Sequence, residues 1–157
     1  MASVEGESLK VILFKLNNEM YGVPVDQILS IERIQAITRV PNAPDYVVGI
    51  MNLRGLIIPV IDMRRRFRMS TTEPTKDTRI IIVDVGDIKV GLMVDEANEV
   101  LDVDPGSVEK TPDIVSGPGS EYINGVAKIN DDRLLILLNL QRILYEQEIT
   151  EIKKIEV

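Results

Sequence analysis

The stretch Tyr46-Val-Val-Gly49-Ile-Met-Asn52-Leu-Arg54-Gly55-Leu-Ile-Ile-Pro59-Val-Ile-Asp62-Met-Arg64-Arg-Arg-Phe67 decides how this chain folds. Two apolar runs, Val47 to Met51 and Leu56 to Ile61, flank a polar knot at Asn52, Arg54 and Gly55. Runs of this length, parted by a glycine-containing turn, predict paired strands joined by a short hairpin. Asp62 is placed to cap a short helix reaching Met69, with Met63 and Phe67 at i and i+4 on its inner side. Arg64, Arg65, Arg66 and Arg68 are then expected mostly in water.

The stretch has a fainter copy, Tyr122-Ile-Asn-Gly125-Val-Ala-Lys128-Ile129 followed by Leu134 to Leu138. Upstream, Tyr21 to Gln27 lies over Val90 to Glu96 at an offset of 69, which also sets Ile12, Phe14 and Leu16 over Ile81, Val83 and Val85. Pro41 meets Pro112 at offset 71, and Tyr46 and Gly49 meet Tyr122 and Gly125 at 76. The drift falls in the Gly/Pro-rich segment Val115 to Ser120. An ungapped run with Gly, Asp and the apolar alternation in register reads as an internal duplication. One copy of about 70 residues is marginal for a core of its own, so the copies are expected to pack on each other. The first subdomain would span residues 11–69 and the second 78–149, with exchange of strands between them allowed.

Working outward, Val11 to Leu16 is a strand with apolar residues on both faces, as is Ile80 to Val85; this predicts either a seam between the halves or a docking groove. Asn17-Asn18-Glu19 turns the chain into Tyr21 to Val25, where Pro24 belongs at an edge or bulge. A helical turn at Asp26-Gln27 leads to a third strand, Ile28 to Ile34. Val23, Ile28 and Ile31 stand near the edge of the first barrel-like half as candidates for apolar surface, with plain core the preferred reading for most of them. Ile37 to Pro44 is a stiff connector, since its two prolines restrict their neighbours to extended conformations. Ser70 to Asp77, without an apolar residue, is the loop between copies. Asn139 to Gln147 reads as the second helix, Thr150 to Val157 as a loose strand or tail, and residues 1–8 as frayed.

Composition narrows the function. The 157 residues, 45% of them apolar, can bury about 70% of the unfolded surface in one domain of ordinary size. Aromatics are scarce and Val, Ile and Leu must fill the core, which favours strands. The net charge of −7 disfavours nucleic acid and anionic membrane. No apolar run reaches a membrane span, the N-terminus lacks the marks of a signal peptide, and cysteine is absent; a cytoplasmic protein is expected. With neither His nor Cys, the usual zinc sites, the Ser-His-Asp triad and a cysteine nucleophile are excluded. Asp95, Glu96, Glu99, Asp102 and Asp104 lack the Gly and bidentate Glu of a calcium loop. No phosphate-cradling glycine motif occurs, and neither metal nor cofactor is expected.

The second copy is an internal control for Arg54. Its tip reads Lys128-Ile129-Asn130-Asp131-Asp132, still good turn material, with neither Arg nor Gly. The turn therefore does not need an arginine, and Arg54, with five fixed donors, is the candidate for contact with a partner.

The segment Ile37 to Pro44, followed by Val48 to Gly55 and Ile58 to Arg64, resembles the CheW-like family of bacterial chemotaxis coupling proteins. The likeness runs from Phe14-x-Leu16 and Tyr21-Gly22-Val23 through Tyr122-Ile123-x-Gly125 to the closing helix. It implies a mostly β fold: two five-stranded SH3-like barrels from a duplication, sharing an apolar core, with a short helix after each hairpin. It further implies a non-enzymatic adaptor joining the regulatory domain of the histidine kinase CheA to the cytoplasmic tips of methyl-accepting chemoreceptors, without insertion into the membrane. Matched by motif, receptor binding falls on Ile28, Ser30, Asn52, Arg54 and Gly55; kinase binding, which in the family involves exposed apolar barrel surface, is expected around Val40, Pro41, Ala43 and Pro44 and on the second barrel. The same domain occurs in CheA and in CheV-type proteins; a length of 157 residues is expected to leave no room for kinase or receiver domains. A CheV-type module and a purely structural β-module are the alternatives. A small Asp/Glu enzyme would require convergent carboxylates, which this sequence spreads over turns.

The chain departs from the family at one point. Members commonly carry Glu where this chain has Ser30, within reach of the arginine matched by Arg54. Glu32 stands two residues on, on the same face of a strand. It is expected to take over in part as the partner of Arg54.

Overall fold

A computed structural model describes residues 9–86, 88–110, 122–130 and 133–144. The expectations for residues 1–8, the Val115 to Ser120 segment, the second tip at Asp131-Asp132, the end of the second helix and the tail lie outside these residues.

Strands β1 (Leu9–Leu16), β2 (Glu19–Pro24) and β3 (Ile28–Arg33) open the chain, with a 3-10 turn at Val25–Gln27 before β3. The opening stretch forms β4 (Val47–Leu53), β5 (Leu56–Asp62) and α1 (Met63–Arg66). The second copy supplies β6 (Arg79–Asp84), β7 (Lys89–Val94), β8 (Glu96–Val103), β9 (Val108–Glu109), β10 (Ile123–Asn130), β11 (Arg133–Leu138) and α2 (Leu140–Leu144). Among the described residues one sheet runs β3-β6-β7-β5-β4 and the other β8-β1-β2-β11-β10-β9. Among the described residues the second sheet has six strands where five were expected, counting the two-residue β9.

The sheets do not follow the halves of the sequence. Hairpin β1–β2 lies in the sheet of the second half, between β8 and β11, and hairpin β6–β7 lies between β3 and β5 of the first. Each half thus lends its first hairpin to the other, so neither 11–69 nor 78–149 is a sheet by itself. The duplication is visible in the pairing. The bridge Thr38↔Ile50 recurs as Glu109↔Val126, and the bond from Asp62 N–H to Tyr46 O as Asn139 N–H to Tyr122 O, both 2.8 Å.

This exchange explains the strands that are apolar on both faces. Ile12, Phe14 and Leu16 of β1 join Ile81 and Val83 of β6 in a central cluster between the sheets. The other face of β1, Val11 and Leu13, packs with Leu135 and Leu137 inside the second sheet; Ile80 and Ile82 pack with Met51 and Ile58 inside the first. The faces in the central cluster form the seam. Val23, a candidate for the barrel edge, is core and buried in it, because β2 is an interior strand. Pro24 ends β2 beyond its last pair with β11, where no donor is needed. Both phenylalanines and two of the four tyrosines meet along the seam: Phe14 stacks on Tyr21 at 5.5 Å, Tyr21 meets Phe67 at 5.7 Å, and Phe67 meets Tyr122 at 6.2 Å. Burial foremost, then the charge and hydrogen bond of Glu19, push the Tyr21 phenol far above its usual range.

Arg65 and Arg68 are exposed as expected, but Arg64 and Arg66 are half-buried rather than solvated. Arg64 donates to both Asp95 oxygens at 2.8 and 2.5 Å and to Ser70 O at 2.8 Å, with its side chain only 13% exposed. Arg66 reaches Tyr122 Oη at 2.7 Å and Ile143 O at 2.8 Å, and its guanidinium lies over the rings of Tyr46 and Tyr122. Arg65 donates to Asp45 O at 3.0 Å. Parallel pairing of β5 with β7 sets Asp62 beside Met93, which brings Asp95 to Arg64. The helix itself is shorter than the eight residues expected: Asp62 caps it through Arg64 N–H at 2.9 Å, and Arg68 at φ +60° ends it.

The interlocked sheets make a prediction. Residues 70–77 are exposed throughout, so a protease site inserted there is open to cleavage. After the cut, the two fragments are expected to co-elute one to one under native conditions and to unfold in one transition. Fragments that separate on a sizing column would show that the exchange does not hold the halves together.

Candidate docking site at the β4–β5 tip

The hairpin closes on Leu53 and Leu56, leaving Arg54 and Gly55 as a two-residue turn with φ of +51° and +91°. Positive φ at both positions defines the type I′ turn, whose twist suits a hairpin and which favours Asn, Asp or Gly. Asn52 braces it, its Oδ1 accepting from Gly55 N–H at 2.9 Å. Elsewhere the chain obeys this preference: the β1–β2 turn uses Asn17 and Asn18, with φ of +52° and +69°. An arginine in this conformation costs about 1–2 kcal/mol, so Arg54 stands where the backbone would prefer another residue.

Ile28, Ser30 and Glu32 lie on the inward face of β3, while Leu29, Ile31 and Arg33 are exposed. Ile28 packs against the central cluster, and Ser30 is in register with Ile82. β3 and β4 are the opposite edges of their sheet. The sheet curls until Glu32 meets the tip: Arg54 Nη2 lies 3.1 Å from Glu32 Oε2. The partner expected for Arg54 is in place. The chain leaving β3 crosses the same opening and pairs Thr38 with Ile50, tying the two edges together. Glu32 is 15% exposed and Arg54 69%, an anchored acid beneath a base offered to solvent.

Of the five residues matched to receptor binding, Asn52, Arg54 and Gly55 form the tip, exposed to solvent. Ile28 and Ser30 stand on the strand that supplies Glu32, half-buried, with Ile28 turned to the seam. Leu56 and Ile57, 54% and 50% exposed, flank the tip. Sequence reading placed them in the strand, and the adjoining turn was the available signal that its first residues emerge from the core. Val40, Pro41, Ala43 and Pro44 lie on the connector before β4, turned at Asn42, whose φ is +62°. Pro44 O accepts from Val47 N–H at 2.9 Å. The connector joins β4 at the end away from the tip, about 20 Å off for a seven-residue strand. Among the described residues no three acidic side chains converge as a metal site requires, and no helix is long and apolar enough to cross a membrane.

Two interlocked β sheets carry the solvent-facing β4–β5 tip, an architecture shared with proteins of known class. The family model for the CheW-like domain matches residues 10–148. A chemotaxis protein CheW of Bacillus subtilis is 40% identical over 86% of both chains, and one of Klebsiella aerogenes 29% identical over 94% of this chain and 90% of its own. The crystal structure of the scaffolding protein TtCheW from Thermoanaerobacter tengcongensis superposes with a TM-score of 0.81 at 34% identity, covering 94% of this chain and 95% of that one. The chain belongs to the CheW-like domain family.

Proposed function

We propose that this chain is a non-enzymatic, cytoplasmic adaptor of bacterial chemotaxis that couples the cytoplasmic tips of methyl-accepting chemoreceptors to the regulatory domain of the histidine kinase CheA. The observation that carries the reading is Arg54: solvent-facing, on a left-handed backbone, at a turn that needs no arginine. A receptor tip is a helical hairpin, and an amphipathic helix face is what a tip of mixed charge and apolar flanks can receive. Ile28, Ser30, Asn52, Arg54 and Gly55 make up the receptor side. Val40, Pro41, Ala43 and Pro44 make up the kinase side at the other end of the same hairpin. With the two ends apart on one rigid element, both partners can be held at once, and a change in the receptor can bias the kinase.

Arg54→Glu is expected to weaken binding of a purified receptor-tip fragment at least tenfold, the loss typical of an arginine anchor. Stability should change by no more than about 1 kcal/mol, because the pair it breaks is exposed on the arginine side. Arg54→Asn sharpens the test: Asn suits the turn better, so the melting temperature should hold or rise while binding still falls. Retained binding in both variants, titrated by isothermal calorimetry, would remove Arg54 from the receptor site.

A further inference from the structure

We propose that Arg66 is the positioning residue of the kinase side: it holds the connector that carries Val40, Pro41, Ala43 and Pro44 in one orientation to the second half of the chain. The inference rests on the kinase reading above and concerns a residue that reading does not assign. Arg66 stands where three segments meet. Its guanidinium carbon lies 5.1 Å from the ring centroid of Tyr46, just after the connector, and 4.7 Å from that of Tyr122, which leads into β10. Nη2 donates to Tyr122 Oη at 2.7 Å and to Ile143 O of α2 at 2.8 Å. Arg65 adds a grip on the neighbouring Asp45 O at 3.0 Å. The last residues of the connector are thus bound through α1 to the second half, though they belong to the first. A kinase contact that runs from the connector onto the second barrel, as the family likeness implies, needs these two parts in fixed relation.

The duplication shows that the fold does not need an arginine here. Asp62 and Asn139 donate alike to Tyr46 O and Tyr122 O, and counting on from each matches Arg66 with Ile143. Ile143 is fully buried, so the second copy fills this helix position with an apolar side chain. An apolar side chain supplies area without direction. A guanidinium over two rings and against two oxygens supplies direction, because its planar donors and its stacking both depend on angle. A connector held in place before the partner arrives spares that partner the cost of ordering it.

The test uses the full chain with Arg66→Met, which keeps apolar contact with the rings, and Arg66→Lys, which keeps the charge and loses the planar fork. Both are expected to fold, melting within about 5 °C of wild type. Three readouts are taken: residual dipolar couplings of the Val40, Ala43 and Asp45 N–H groups against those of β10 and β11, affinity for the purified CheA regulatory domain, and affinity for a receptor-tip fragment. In the wild type the connector couplings should fit the alignment of the second barrel, and in Arg66→Met they should average toward smaller values. Kinase-domain binding should weaken about three- to tenfold in Arg66→Met and less in Arg66→Lys, with receptor-tip binding unchanged. Connector couplings identical in wild type and Arg66→Met would overturn the proposal. So would kinase-domain binding at wild-type strength in that variant, or an equal loss toward both partners. Should Arg66→Met not fold, the same comparison is made with Arg66→Lys and overturns the proposal on the same results. If the couplings respond yet the wild type does not bind the kinase domain, positioning stands and the kinase reading fails, so the two failures are told apart.

Discussion

Gly49→Ala is expected to cost about 3–5 kcal/mol, a large share of the 5–15 kcal/mol that holds a domain folded. A Cβ at this position would lie 2.2 Å from Thr38 O and 2.8 Å from Thr38 C, and Gly49 has φ +155°, where side chains are rarely tolerated. The obstacle is backbone. Thr38 cannot retreat, because Thr38 N–H to Ile50 O and Ile50 N–H to Thr38 O, both 2.8 Å, are the bonds that tie the connector to β4. Relieving the clash would break them and release the closure that brings β3 to the tip. The second copy provides the comparison. At Gly125 an added Cβ meets a Val108 methyl at 2.6 Å and Glu109 O at 3.0 Å, contacts that a shifted side chain can partly relieve. Gly125→Ala should therefore cost less, about 1–2 kcal/mol. Urea unfolding of both variants checks the order, and Gly125→Ala proving the more damaging would contradict it.

Asp95→Asn should cost about 2 kcal/mol at neutral pH. It leaves the guanidinium of Arg64, 13% exposed, with a neutral partner and weakens a contact between α1 and the strand lent by the other half. The Asp95 carboxyl adds a pH signature. Burial alone would raise it, but the Arg64 hydrogen bonds, the Asn17 N–H and the Arg64 charge together outweigh burial and hold it below the usual range. Arg64 is correspondingly raised, chiefly by its hydrogen bond to Asp95. A carboxyl depressed in the folded state contributes stability that is complete above its unfolded value near 3.9 and lost as pH falls through the lower folded value. The wild type should therefore lose stability more steeply than Asp95→Asn below about pH 4. Parallel acid limbs for the two proteins would mean that Asp95 is not held by Arg64 in solution.

The hairpin, the helix cap at Asp62, the duplication and the seam were legible because each rests on local chemistry or on period-two patterning. The exchange of hairpins was allowed for but not decided, and for a physical reason. β1–β2 and β6–β7 carry nearly the same apolar pattern, so either can satisfy either sheet, and pattern alone leaves the two pairings degenerate. The misreading of the arginine run followed from this. Arg64 finds Asp95 only because β7 is lent to the first sheet beside β5, and Arg66 finds Ile143 O across the seam. Arg54 was legible for the opposite reason: comparing the two tips needs no tertiary information. Glu32 lay between these cases, since strand alternation put it on the correct face and only curling of the sheet brought it within 3.1 Å of Arg54.

The most direct test of the adaptor reading is sedimentation of the purified chain mixed with a chemoreceptor tip fragment and the CheA regulatory domain. A complex containing all three, lost when this chain is left out, is the predicted result. Failure of the folded chain to bind either partner at tens of micromolar, or binding of one that excludes the other, would contradict it.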